Sequence, residues 1–118
     1  MTLQECYAQI GNWEDVIGRM CSEKLVQKFI LKFLDDPSYD QLCVAMANGD
    51  CNAAFMAAHT LKGICANLGL TQLLQSSCAL TELLRVGNLS GSGDAYAQVQ
   101  TDYAAVMETI RQFQSSLS

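Results

Sequence analysis

The sequence is short of proline, aromatic residues and basic residues, and each shortage excludes a class of protein. Only one of the 118 residues is proline, and 8% are aromatic. Together with frequent alanine, leucine and glutamine, this composition favours helices over strands. Seven lysines and arginines stand against twelve acidic residues and form no basic tract. The chain therefore lacks the charge distribution of a nucleic-acid-binding protein, and we expect no nucleic-acid partner.

Long hydrophobic runs and targeting signals are also missing. Residues 63–81 carry no charge, but polar side chains such as Asn67, Gln72 and Gln75 interrupt them and exclude a membrane span. The N-terminal stretch MTLQECYAQ has no basic segment and no continuous apolar core, so it is not a signal peptide. We therefore expect a soluble, cytoplasmic protein that contacts no membrane.

Cysteine is plentiful, but its distribution does not indicate disulfides. The six cysteines are spread evenly, and no two of them stand in a C-x-x-C spacing. Without an export signal, we expect reduced thiols that are mostly buried and act as small hydrophobic residues. The six are Cys6, Cys21, Cys43, Cys51, Cys65 and Cys78.

Signals for helix ends recur along the chain. A capping box at Thr2 and Glu5 predicts a first short helix that stops near Gly11. A second short helix is expected to begin after Asn12 and to end near Arg19 or Met20. Side-chain caps for the longer helices are predicted at Ser22, Ser38, Asp50 and Thr71, and their stops at Pro37, Gly49, Gly69 and Gly87.

The longer helices have apolar faces with helical spacing. The third helix is expected to bury a broad face that includes Leu25 and Phe29. Four long helices with short connections, preceded by short N-terminal ones, predict an all-α antiparallel four-helix bundle in a single domain of residues 1–118. The clearest seam, in the last helix, is Tyr96, Val99, Tyr103, Val106, Ile110, Phe113 and Leu117.

The only histidine, His59, lies in the run FMAAHTLKGICANLG of residues 55–69. A helix turns by about 100° per residue, so the apolar residues of this helix fall within about 80° of the point opposite His59. That side must face the core, and His59 must therefore point to solvent. The apolar residues are Ala54, Ala57, Ala58, Leu61, Ile64, Cys65 and Leu68.

Lys62, Gly63 and Ala66 lie on the same side as His59, within about 60° of it. A glycine in an exposed helix turn costs roughly 1 kcal/mol relative to alanine. Its presence here leaves the imidazole open to close approach by another molecule. Lys62 brings an ammonium group within reach of an anion attached to the ring.

Two further groups of residues are candidates for a docking surface. Phe55 and Met56 lie on the exposed half of the helix, one turn before the histidine, where apolar side chains indicate a partner. The alternative is that they are isolated apolar residues at the bundle edge. Lys24, Lys28 and Lys32 form an i, i+4 ridge on the third helix. This ridge is either a complement to an acidic partner or a solvated helix face.

These residues resemble the signature of histidine-containing phosphotransfer (HPt) domains. The run AAHTLKGICANLG has a small residue, the histidine, two residues that include leucine, then Lys-Gly, with Leu-Gly five residues beyond. The similarity extends outward through ANGDCNAAFMAAHTLKG and into LTQLLQSSCALTELLR of the following helix. The order and length of the predicted helices also suit the family, so the resemblance spans nearly the whole chain.

The resemblance implies a phosphorelay carrier. In this family the equivalent of His59 accepts a phosphoryl group from a phospho-aspartate or a kinase, and passes it to the aspartate of a response-regulator receiver domain. The resemblance also implies that Lys62 contacts the phosphoryl oxygens and that Gly63 gives the partner room. The docking residues expected around this site are Phe55, Met56, Ala66 and Arg85.

The sequence contains no glycine-rich phosphate loop and no acidic magnesium cluster. We therefore expect a phosphoryl carrier without an ATP site, a cofactor or a metal, rather than an enzyme. The resemblance implies a receiver domain or a hybrid histidine kinase as the partner. The initial methionine and self-contained bundle favour a free-standing protein, which we expect to be a monomer.

One departure from the family leaves the hydrogen-bond partner of His59 open. Some HPt domains have a glutamine in the next helix that bonds the active imidazole. Counting along that helix places Thr81, or else Glu82, near the corresponding site. Arg85 lies one turn further, where it either adds positive potential or is solvated at the helix end.

Two other functions remain as alternatives. A metal centre needs several convergent ligands, but Cys65 lies about 120° round the helix from His59, and Cys51 lies more than two turns away. Neither can share a metal with the histidine locally. The second alternative is an interaction module that scaffolds a receiver domain without being phosphorylated.

Overall fold

The computed structural model describes residues 1–117, and these residues form seven α-helices and one short 3₁₀ helix, with no strand. Two short helices come first, and the longest helix comes last. The elements are α1 (Leu3–Ile10), α2 (Trp13–Met20), α3 (Glu23–Lys32), the 3₁₀ helix (Phe33–Asp35), α4 (Ser38–Ala47), α5 (Cys51–Leu68), α6 (Thr71–Arg85) and α7 (Gly93–Ser115).

Helices α4 to α7 form the predicted antiparallel bundle, so the all-α prediction is confirmed. Helix α5 packs against α4 and α6, and α6 packs against α7. Tyr39 of α4 stacks on Tyr103 of α7 with ring centroids 3.7 Å apart, which closes the bundle. The interior is filled by aliphatic side chains that are excluded from water, among them Leu42, Ala54, Leu61, Leu73, Leu80, Val99 and Ile110.

Four of the predicted helix caps are present. The side-chain oxygens of Thr2, Asn12, Ser22 and Asp50 each accept a hydrogen bond from the backbone N–H three residues later. Each such cap satisfies a backbone donor that the helix itself leaves unpaired, and contributes about 1 kcal/mol. The first cap is the complete capping box, since Glu5 in turn accepts from the Thr2 N–H.

Two predicted caps are wrong. Ser38 is the first residue of α4, because Pro37 already has helical angles, and the carboxylate of Asp36 accepts from the Ser38 N–H instead. Thr71 is likewise the first residue of α6, where Leu70 takes the cap position without a side-chain bond. In both cases the helix begins one residue earlier than the side-chain pattern indicates.

The predicted apolar faces are only partly buried. On α3, Val26 and Ile30 are fully buried, but Leu25 and Phe29 are 41% and 39% exposed, because α3 lies at the edge of the bundle. The predicted seam of the last helix is buried at Val99, Val106, Ile110 and Phe113, but Leu117 lies beyond the end of α7 and is 48% exposed. All six cysteines are free thiols, but only Cys6 and Cys65 are buried, so the prediction that most of them are buried is wrong. Burial raises the pKa of Cys65 to about 12.

The end of α5 is tied to the N-terminal helices. The Tyr7 hydroxyl donates to the Leu68 carbonyl at 2.7 Å. Arg19 of α2 donates to the carbonyls of Ala66 and Asn67 at 2.7 and 3.0 Å, while it also pairs with Asp15 at 2.8 Å. These bonds reach carbonyls in the last turn of α5, where the helix itself supplies few donors. They fix the position of the helix that carries His59.

Within residues 1–117, no helix is both long enough and apolar enough to span a bilayer.

Candidate functional site

The site is built on the middle of α5, an eighteen-residue helix with a defined start and stop. Asp50 caps its first turn, and Gly69 ends it in the left-handed conformation with φ of +66°. Because both ends are fixed, the rotation of α5 about its axis is fixed as well. The residues predicted to face the core are buried except for Ile64, which is partly exposed, and His59 on the opposite side is exposed to solvent.

The imidazole of His59 makes no hydrogen bond and no ion pair within residues 1–117. Its contact is with an aromatic ring one turn earlier: the centroids of Phe55 and His59 are 5.8 Å apart, and their planes are inclined at 43°. Phe55 is partly buried, and the guanidinium carbon of Arg85 lies 5.0 Å from its ring centroid. Arg85 pairs with Glu82 at 3.3 Å on the same helix.

The other residues predicted around His59 share its face. Lys62 is partly exposed, and within residues 1–117 its ammonium group pairs with no carboxylate. A Cβ at Gly63 would meet nothing within 4 Å, so this turn is open to an approaching surface. Ala66 is exposed, and Met56 is 65% exposed. The structure therefore gathers a nucleophilic ring, a cation and an open approach on one side of α5.

The two residues of α6 that were left open as partners of the imidazole both have other contacts. The Thr81 side chain is fully buried, and its hydroxyl donates to the Ser77 carbonyl at 2.6 Å. The Glu82 carboxylate pairs with Arg85. Neither residue hydrogen-bonds the imidazole. The contact of Phe55 with Arg85 was not predicted, since residues 30 apart in sequence give no periodic signal.

The lysine ridge lies on a different helix from the imidazole. Lys24, Lys28 and Lys32 are exposed on α3, and the Lys28 ammonium lies 5.7 Å from the ring centroid of its neighbour Phe29. Solvation of both groups makes such a surface contact weak. The ridge adds positive charge to one side of a chain whose net charge is −5.

No cysteine contributes a functional group to the site around His59. Cys65 lies fully buried on the core side of α5, and the thiol of Cys51 points to the Leu84 carbonyl at 3.6 Å. In the part of the chain that the structure describes, no group of three or more His, Cys, Asp or Glu side chains is placed to hold a metal ion. The chemistry available at His59 is that of the imidazole and its neighbouring cation.

The comparison with protein families gives one match. The family model described as Hpt domain matches residues 24–109, a range that contains α4, α5 and α6 and most of α7. This range includes His59 and every residue placed around it above. No curated protein and no solved structure matches the chain.

Proposed function

The chain belongs to the Hpt domain family, and from this we propose that His59 carries a phosphoryl group between aspartates of receiver domains. Hpt domains are phosphocarrier modules of phosphorelays. The observation that supports His59 as the carrier is its exposure on α5 beside Lys62 and the open turn at Gly63. No other histidine exists in the chain.

The reaction is a displacement at phosphorus. The unprotonated ring nitrogen of His59 attacks the phosphorus of an aspartyl phosphate on the partner, and an N–P bond forms as the P–O bond to the carboxylate breaks. The carboxylate leaves with the electron pair, and the other ring nitrogen keeps its proton. Lys62 contacts the phosphoryl oxygens, where its positive charge stabilises the charge that spreads over them in transfer. The reverse displacement delivers the group to the next aspartate.

Partners and setting follow from this role. The partner is a response-regulator receiver domain, a hybrid histidine kinase, or both, and the partner supplies the aspartate. Met56, Ala66 and Gly63 lie where such a domain covers the imidazole, and Phe55 with Arg85 borders the same area. We propose that the protein acts as a monomer in the cytoplasm.

A phosphorylated receiver domain, labelled on its aspartate, provides the test. Incubated with this protein, it should transfer label that is acid-labile and alkali-stable, as expected of a phosphoramidate bond. His59→Gln should keep its helical circular dichroism and melting temperature but take no label, because an exposed side chain contributes little to the core. A receiver that binds the wild type without transferring label would instead favour the scaffolding module. An unfolded His59→Gln variant would show that the histidine is structural.

A further inference from the structure

The imidazole of His59 is exposed, and no hydrogen bond within residues 1–117 orients it. An exposed side chain ordinarily changes rotamer within nanoseconds. Displacement at phosphorus requires the attacking nitrogen to be aligned with the bond that breaks, and small misplacements are costly. A contact that restricts the ring before transfer would therefore favour the reaction.

Within residues 1–117, the contact that can restrict the imidazole is the one with the ring of Phe55. It lies one turn before His59 on α5, at a centroid distance of 5.8 Å with the planes inclined at 43°. This spacing is within the range of aromatic pairs that stabilise each other beyond their burial. Residues four apart on a helix face are neighbours, so the contact needs no change in the backbone.

Residues of α6 hold the Phe55 ring in place. The Arg85 guanidinium lies over its face at 5.0 Å, a cation–π distance, and Glu82 holds the guanidinium through an ion pair at 3.3 Å. The Phe55 side chain is therefore partly covered by its own molecule. The chain of contacts runs from Glu82 through Arg85 and Phe55 to His59.

We propose that Phe55 is a positioning residue for His59, and that Arg85 holds Phe55 in place. The proposal rests on His59 being the phosphoryl carrier. It gives the aromatic contact the orienting role that neither Thr81 nor Glu82 can take, because their side chains are bonded elsewhere. The same arrangement brings a second cation, besides Lys62, to the border of the transfer site.

A small phosphoryl donor separates positioning from docking. Phosphoramidate gives its phosphoryl group to an imidazole nitrogen as its P–N bond breaks. Its nitrogen, already protonated, takes the electron pair and leaves as ammonia, so no receiver domain is needed. Phe55→Leu should slow labelling of His59 about tenfold, whereas Phe55→Tyr, which keeps the ring, should label at the wild-type rate. Phe29→Leu is the matched control, because Phe29 is also a ring beside a cation but lies on α3 and makes no described contact with the His59 ring.

Replacing Arg85 tests the second part of the proposal, that Arg85 holds the Phe55 ring in place. Arg85→Gln should slow labelling by phosphoramidate about two- to threefold, because the Phe55 ring loses its cover. Arg111→Gln on α7 removes the same charge away from the site and should have no effect. Wild-type rates in both Phe55→Leu and Arg85→Gln would overturn the proposal. So would a Phe55→Tyr variant as slow as Phe55→Leu, since the ring would then not be the cause.

Nuclear magnetic resonance detects the contact between the Phe55 and His59 rings in the unphosphorylated protein. His59 is the only histidine, so its ring protons give a single set of resonances. They should show cross-relaxation with the Phe55 ring, and ring-current shifts that Phe55→Leu abolishes and Phe55→Tyr retains. Absence of cross-relaxation in the wild type overturns the proposal. Because this measurement uses the wild-type protein, it tests the proposal even when Phe55→Leu does not fold. If His59 takes no label but the two rings are in contact, the proposed carrier function fails while the contact stands.

Discussion

The backbone of Gly11 lies directly against the carbonyl oxygen of Gly69, so a side chain at Gly11 would overlap that oxygen. The next residue, Asn12, donates its backbone N–H to the same carbonyl at 2.9 Å. The turn between α1 and α2 is therefore packed against the turn that ends α5. This contact seats the two short helices on the bundle, although neither is long enough to be stable alone.

Gly11→Ala should destabilise the protein by about 2–3 kcal/mol, because the added methyl group forces the two turns apart. Gly18→Ala is the matched control: it lies in the same pair of helices, but a Cβ there meets nothing within 4 Å. That variant should gain about 0.5–1 kcal/mol, the usual advantage of alanine over glycine in a helix. Urea denaturation of the three proteins measures both changes. Equal stability of Gly11→Ala and wild type would contradict the close approach.

Stability should fall in acid partly through Asp15. Hydrogen bonds from Arg19 lower the pKa of the Asp15 carboxyl below its usual value of 3.8. A group whose pKa is lower in the folded state stabilises the fold above the unfolded pKa, and this contribution disappears as pH falls through the folded pKa. Asp15→Asn should thus be less stable than wild type at pH 7, and the difference should disappear as pH falls through the folded pKa, which lies below 3.8. A stability difference independent of pH would mean that the charge of Asp15 has no role.

The fold was predictable from sequence where the signal is local. Caps at Thr2, Asn12, Ser22 and Asp50 follow from short side chains that bond a nearby N–H, and they are found as predicted. Ser38 and Thr71 have the same side chains but lie inside their helices. Their backbone conformation is set by Pro37 and by the buried Leu70, which a capping pattern does not include.

The candidate site was likewise predictable only where the signal is local. The outward direction of His59 follows from the helical period and is found in the structure. The exposure of Leu25 and Phe29 was not predictable, because periodicity identifies an apolar face without showing how much of it a neighbour covers. The position of Arg85 over Phe55 depends on how α5 and α6 are packed, which no spacing within either helix encodes.

Lys62→Ala should slow transfer from a phosphorylated receiver about tenfold or more. A hydrogen bond to a charged group contributes about 1.5–3 kcal/mol, and the lost contact is one that the transferring group makes. The fold should be unaffected, because the Lys62 side chain is partly exposed and has no described partner. Arg111→Ala on α7 removes the same charge outside the residues proposed for docking and serves as the control. Equal transfer rates for Lys62→Ala and wild type would place Lys62 on a solvated face without a role.

Gly63→Gln tests which face of α5 the partner covers. A Cβ at Gly63 meets nothing within 4 Å, and glutamine is the better helix former, so the melting temperature should stay the same or rise. Receiver binding and phosphotransfer should nevertheless fall together, because the long side chain occupies the space that the receiver needs one turn from His59. Gly18→Gln, an equally open helical glycine on α2, controls for the gain in helix propensity. Melting temperature and phosphotransfer are measured on the same samples. A large drop in the melting temperature of Gly63→Gln would place Gly63 at a helix contact. Normal transfer by this variant would show that the receiver does not cover this face of α5.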